Sequence, residues 1–199
     1  MTISVLGDST GNAKGEWVDL WAKHLASFAS VTVHLWDQNA ENWSPNQTYY
    51  PGAAGRSIEI WNASQPGAKA DYPSTRIKVM QPTKPDFVIL SFGHNGAPTA
   101  IGPNMFATMN AVNTQWGGKV PTLAILQNAA GEPRTLQTNN NQAALKVWAA
   151  GNGVPLIDVR AAFDSVQDIN TVLMADGTGV HPNAAGQQLW VDAVISALG

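Results

Sequence analysis

The chain has 199 residues, 44% of them hydrophobic, with a formal charge of −3 and no cysteine. That length suits one domain, residues 1–199, with a full core. The acidic balance and the lack of any Lys/Arg run argue against a nucleic-acid partner, and the absence of cysteine excludes disulfides, thiol nucleophiles and thiolate metal sites.

In chain order, Ile3–Leu6 reads as a buried strand starting within three residues of Met1, which leaves no room for a secretory signal. The turn Gly7-Asp8-Ser9-Thr10 then sets a serine at the strand end, although the tetrapeptide alone is ordinary turn chemistry. Glu16–Phe28 is a helix with Trp17, Leu20, Trp21 and Leu25 on one face, and Val31–Trp36 a second strand. A Pro/Gly-rich connection holds Gly55-Arg56-Ser57 and precedes a short helix, while Asn62–Pro85 shows no clear element and reads as a loop bordering the site. Phe87–Phe92 is a third strand leading into Gly93-His94-Asn95. Helices over Asn104–Trp116 and Leu136–Ala150 alternate with strands Thr122–Gln127 and Pro155–Val159, followed by a turn at Arg160–Ser165. The last helix, Ala184–Leu198, has Asn183 as its cap. The alternation predicts an α/β fold: a three-layer α/β/α sandwich on a five-stranded parallel sheet, in the flavodoxin-like order 2-1-3-4-5. No apolar stretch approaches the roughly 20 residues of a membrane span, so no membrane insertion is expected.

Ligands of open α/β sheets bind beyond the carboxyl ends of the strands. Ser9 and Asn95 fall at such ends, Gly55 is placed beyond strand two, and His181-Pro182 opens the last helix. A serine, a backbone donor, an amide donor and a histidine with a nearby carboxylate, Asp176, make an acyl-transfer site.

The ordered set Gly7-Asp8-Ser9, Gly55, Gly93-His94-Asn95 and His181-Pro182 resembles the four blocks of the SGNH hydrolases, also called GDSL esterases and lipases. In wording it is most similar to the rhamnogalacturonan acetylesterase-like members. The resemblance implies the SGNH hydrolase fold, with Ser9 as nucleophile, His181 as base, and an oxyanion hole formed by the Ser9 and Gly55 N–H groups and the Asn95 amide. The family pattern Asp-x-x-His is not kept: Thr178 holds that offset, and the nearest carboxylate is Asp176. Either the loop carries two extra residues and Asp176 completes a triad, with Gly177 and Gly179 supplying backbone freedom, or a Ser–His dyad operates. The acidic residue that often follows the block-three asparagine is replaced by Gly96.

His94 is a candidate for substrate contact, Asp8 braces its turn, and His24 and His34 read as packing or surface residues. Asp86 and Asp158 flank strands and read as structural. Eight Trp against three Tyr is unusual; sugar stacking and acyl pockets use tryptophan, but helix packing is the plainer role for each. No His/Glu spacing suits a metal, and neither a metal nor an organic cofactor is expected. The expected activity is hydrolysis of short acyl esters, acetyl first, on a small molecule or carbohydrate. The alternatives are a lipase or thioesterase for longer chains, and a catalytically silent glycan-binding module of a larger assembly. Oligomeric state and compartment have no signature in the sequence.

Overall fold

Alternation along β1 (Thr2–Gly7) sends Ile3 and Val5 into one core and Leu6 into another, the period of two that a strand covered on both faces requires. The computed structural model describes residues 1–175 and 179–199. Around β1 stand β2 (Ser30–Asp37), β3 (Asn42–Tyr50), β4 (Ser57–Asn62), β5 (Phe87–Ser91), β6 (Thr122–Leu126) and β7 (Leu156–Asp158). They form one sheet in the order β3-β2-β4-β1-β5-β6-β7, in which only the β2–β3 pairing is antiparallel.

The helices are α1 (Trp17–Leu25), α2 (Ile77–Met80), α3 (Pro98–Gln115), α4 (Thr135–Asn152), α5 (Val159–Asp164), α6 (Ile169–Val172) and α7 (Ala184–Leu198). On one face of the sheet α1, α5 and α7 pack over Ile3, Val5, Ile60 and Ile89; on the other α3 and α4 pack over Leu6, Val88, Leu90 and Leu126. Tryptophan serves that packing: the Trp17 and Trp190 rings stack 6.1 Å apart at 5°, fully buried between α1 and α7. Truncating either to alanine would cost about 3–5 kcal/mol.

The five strands read from the sequence correspond to β1, β2, β5, β6 and β7 and keep the 2-1-3-4-5 order. Two strands are added to the expected five. β4 inserts between β2 and β1, where a short helix was expected, and β3 extends the edge as a hairpin arm. Part of the unassigned stretch 62–85 is helical, as a 3-10 turn at Tyr72–Thr75 and α2. The turn expected at Arg160–Ser165 is α5, started by Asp158, whose carboxylate accepts from Ala161 N at 2.9 Å. Asn183 caps α7 as expected, accepting from Ala185 N at 3.0 Å and Gly186 N at 3.1 Å. Asp86 ties the chain start, accepting from Thr2 N at 2.7 Å. No helix among the described residues is long and apolar enough to cross a membrane.

Candidate active site

At the carboxyl end of β1 the chain is squeezed between its neighbours: a Cβ on Gly7 would stand 2.7 Å from Ser64 Oγ and 3.2 Å from Ser91 O. The turn that follows is held by Asp8, whose Oδ1 accepts from Thr10 N at 3.2 Å and Thr10 Oγ1 at 2.8 Å. Asp8 is buried and braces, while Ser9 between these residues is half-buried and points to a partner 172 positions away. Ser9 Oγ lies 2.8 Å from His181 Nε2.

The segment before α7 is fixed on several sides. Met174 and Pro182 form an antiparallel bridge, Ala175 N donates to His181 O at 2.7 Å, and Gly131 N donates to Gly179 O at 2.7 Å. Gly179 has φ +67°, and a Cβ there would stand 2.9 Å from the Gly131 backbone, so this contact needs glycine on both counts. Asp176, the expected orienting carboxylate, lies outside the described residues together with Gly177 and Thr178.

Asn95, just past β5, is half-buried, and its Nδ2 donates to Ala68 O at 3.1 Å. An amide nitrogen carries two hydrogens, so one remains for a ligand.

Two expectations are corrected. Gly55 precedes β4, and Ser57 at the start of β4 pairs with Ser30 at the start of β2. Gly55 therefore lies at the amino ends of the strands, beside Met1, Phe28 and Ile58, at the opposite pole from Ser9. The glycine beyond the carboxyl end of β4 is Gly67, with φ +73° and next to Ala68 that Asn95 holds. His94, expected to touch substrate, is only 2% exposed, and its Nε2 is 3.0 Å from Asn128 Oδ1. Burial pushes its pKa down, against the opposing pull of Asp8 and of the Asn128 hydrogen bond. The ring is packed inside the protein and offers substrate almost no surface.

Sequence reading missed the support beneath these loops. Gln127 and Asn128, both fully buried at the end of β6, bond to the Ser9 turn and to the His181 segment respectively. Behind them Gln142 Nε2 donates to the carbonyls of Gln127 and Asn128 at 2.9 and 3.1 Å, and Asn141 Nδ2 to Gly93 O at 2.8 Å. The available signal was amide residues inside an apolar strand end and helix face, where an unpaired amide is costly. Glu16 was missed too. Burial pushes its pKa up, opposed first by the Ala13 N–H it accepts at 2.7 Å and then by His181, whose field it shares.

A half-buried hydroxyl on an imidazole nitrogen, beside a side-chain amide donor at a sheet's carboxyl edge, is equipped for acyl transfer. A family model described as GDSL-like Lipase/Acylhydrolase family matches residues 5–189. The chain belongs to this GDSL family. As a GDSL protein it is a serine hydrolase of carboxylic esters. Its fold is shared by a lipolytic G-D-S-L protein from Veillonella parvula (16% identity, TM-score 0.69, covering 100% of this chain and 98% of that one). The acetyl xylan esterase AlAXEase is similar at 18% identity and TM-score 0.71, covering all of both chains. An acetyl-xylooligosaccharide esterase from Geobacillus Stearmophilus is similar at 15% identity and TM-score 0.69, covering 100% of the GDSL chain and 94% of its own. No curated protein matches it significantly in sequence. Among the described residues of this GDSL protein, no group of three or more His, Cys, Asp or Glu side chains could hold a metal ion.

Proposed function

We propose that the protein hydrolyses short acyl esters, acetyl before longer chains, on a carbohydrate alcohol, through an acyl-enzyme on Ser9. The observation that carries the reading is the 2.8 Å contact between Ser9 Oγ and His181 Nε2. A serine hydroxyl is a poor nucleophile at neutral pH, and this contact lets His181 take the proton as Oγ bonds to the acyl carbon. The carbonyl π electrons move onto oxygen. When the tetrahedral intermediate collapses, the bond to the alcohol breaks and His181 returns the proton to the leaving oxygen. Water then repeats the sequence: His181 takes its proton, the hydroxide attacks the acyl carbon, and Ser9 leaves with the proton restored.

The oxyanion donors in this reading are the Ser9 N–H, the Asn95 Nδ2 hydrogen not used by Ala68, and the Gly67 N–H in place of Gly55. Each pre-aimed donor is worth about 2.7–4 kcal/mol in the transition state. Asp176 is assigned to fix the His181 tautomer and stabilise the imidazolium. Its support is covalent adjacency to Ala175, whose N–H donates to His181 O at 2.7 Å. Likeness to two esterases whose names refer to acetylated xylan or xylo-oligosaccharide favours acetyl as the acyl group.

Turnover of p-nitrophenyl esters from acetate to octanoate, with Ser9→Ala as control, tests the reading. Acetate should be fastest and Ser9→Ala should abolish it. A maximum at octanoate would transfer the assignment to a lipase or thioesterase, and a folded protein with no Ser9-dependent turnover would leave a glycan-binding module.

A further inference from the structure

Beyond the carboxyl ends of β2 and β4, the loop that carries Gly67 folds back through the 3-10 turn and encloses an open cleft of about 400 Å³. That is within the range of about 300–1,000 Å³ typical of small-molecule sites. Gly67 and Ala68 line it, and Ala68 O is the acceptor of Asn95 Nδ2 at 3.1 Å. Lys69, also in the lining, lays its stem carbons 3.7 Å from where a Cβ on Gly96 would stand. The cleft therefore shares a wall with the segment that carries Asn95.

Its side chains present hydrogen-bonding groups from several directions. Gln38 and Gln65 meet through their amides across one side, and Gln65 Nε2 also donates to Pro66 O at 3.2 Å. Asp71 supplies a carboxylate; Thr75 supplies a hydroxyl whose oxygen accepts from Arg76 at 3.2 Å, leaving its hydrogen to donate; Ser74 Oγ donates to Asp71 O at 2.7 Å and can still accept; and Lys69 supplies an ammonium with no ion pair among the described residues. Arg76 is already committed, to Glu41 at 2.8 Å and over the Tyr72 ring at 4.3 Å, which makes it a fixed rim. Amides, hydroxyls, a carboxylate and an ammonium together match a ligand that offers both donors and acceptors at short intervals. They do not match an alkyl chain, whose burial here would strip these groups of water without replacement bonds. A cavity formed by Met1, Phe28, Ala29 and Ile58 together with Arg56 and Ser57 lies at the amino ends of the strands, so it cannot receive an acyl tail attached at Ser9.

We propose that the cleft between Gln38, Gln65 and the Lys69–Arg76 segment is a glycan subsite that holds the sugar units of the ester's alcohol. This rests on the esterase reading for its place in the reaction, while the binding itself does not need catalysis. The full chain is tested in two ways. In Ser9→Ala protein, binding of the tetrasaccharides of xylose, glucose and mannose is measured by titration calorimetry, with and without Thr75→Trp, which would fill the cleft mouth. At least one tetrasaccharide should bind, and Thr75→Trp should weaken it tenfold or more; Gln38→Ala, a smaller change, should act in the same direction and covers the case in which the tryptophan variant does not fold. In the active protein, the ratio of kcat/KM on acetylated oligosaccharide to that on p-nitrophenyl acetate should fall at least tenfold in the same variants. No binding of any tetrasaccharide, or binding unchanged by both substitutions, would overturn the subsite. Tetrasaccharide binding lost in both variants without Ser9-dependent turnover on any ester would support the subsite and overturn the esterase reading alone.

Discussion

Gln127 and Asn128 are adjacent just past the end of β6, yet their amides hold opposite halves of the Ser9–His181 pair. Gln127 Nε2 donates to Asp8 Oδ1 at 3.0 Å and to Ser91 O at 3.0 Å, fixing the turn before Ser9. Asn128 Nδ2 donates to Val180 O at 3.1 Å, one residue before His181, while its Oδ1 meets His94. Two neighbouring side chains thus tie down the two segments that bring Ser9 and His181 together. Asn128→Leu should cost about 1–3 kcal/mol for each buried partner left unsatisfied, read by denaturant unfolding. Turnover should also fall tenfold or more at temperatures where the variant is folded. Full turnover in the folded variant would remove the positioning role.

Asn95→Ala removes a donor from a half-buried side chain with one protein hydrogen bond. The expected result is a loss of about 10²–10³ in kcat with KM nearly unchanged. Thermal stability should shift little, because only the bond to Ala68 is lost. A drop in stability comparable to that of a core truncation would make Asn95 a structural residue instead.

Gly67 and Gly55 have nearly equal backbone strain, at φ +73° and +84°, and open space where a Cβ would go. Alanine at either should therefore cost a similar 1–2 kcal/mol. Their catalytic effects should differ. Gly67→Ala should lower kcat tenfold or more by displacing a donor of the oxyanion hole, and Gly55→Ala should leave it within twofold. Unchanged kcat in folded Gly67→Ala would remove Gly67 from the oxyanion hole.

Asp176→Asn separates a triad from a dyad. The expected outcome is a fall in kcat of several hundredfold or more, because a carboxamide does not hold the same tautomer or stabilise the imidazolium. Unchanged turnover would establish the dyad.

Acid should destabilise the protein through its buried histidines. His34 stacks on Trp61 with ring centroids 3.7 Å apart, its Nε2 is buried without a hydrogen-bond partner among the described residues, and burial pushes its pKa down against the opposing charge of Glu59. His94 is shifted in the same direction. The unfolded chain takes up protons near pH 6.5, whereas the folded chain does so only at lower pH. Stability is thus complete above about pH 6.5 and is lost as pH falls toward the folded-state values. His34→Phe keeps an aromatic stack and removes one titrating group, so its melting temperature should fall less steeply below pH 6.5. Equal slopes in both proteins would exclude His34.

The strand ends that carry Ser9 and Asn95 were legible because β1 and β5 are short continuous apolar runs. The β3–β4 arm was not, for two different reasons. β3 is an edge strand with no fully buried residue, polar from Ser44 to Thr48 and with its aromatics, Trp43, Tyr49 and Tyr50, only at its two ends, so it has no alternation to read. β4 does alternate, with Ile58, Ile60 and Asn62 buried against the more exposed Ser57, Glu59 and Trp61. That pattern places a strand after Gly55 and so puts Gly55 at its start. The match of Gly55-Arg56-Ser57 to a family block points the other way, and Asn62–Gly67 carries no periodicity that sets it apart from a loop. His94 was misplaced because its neighbours Gly93 and Asn95 define a site segment, while its own burial depends on Asn128, far along the chain.

β4 pairs directly with β1, Val5 opposite Asn62, so the loops carrying Ser9 and Gly67 leave the sheet at the same level one strand apart. Their spacing is then inherited from the roughly 4.8 Å repeat of backbone hydrogen bonding and not from the length of either loop. The loop from Lys69 to Arg76 is therefore free to change in sequence and shape while the reacting atoms keep their places. With the proposed glycan subsite on that loop, choice of alcohol and chemistry at the acyl carbon become properties that can evolve, or be engineered, separately.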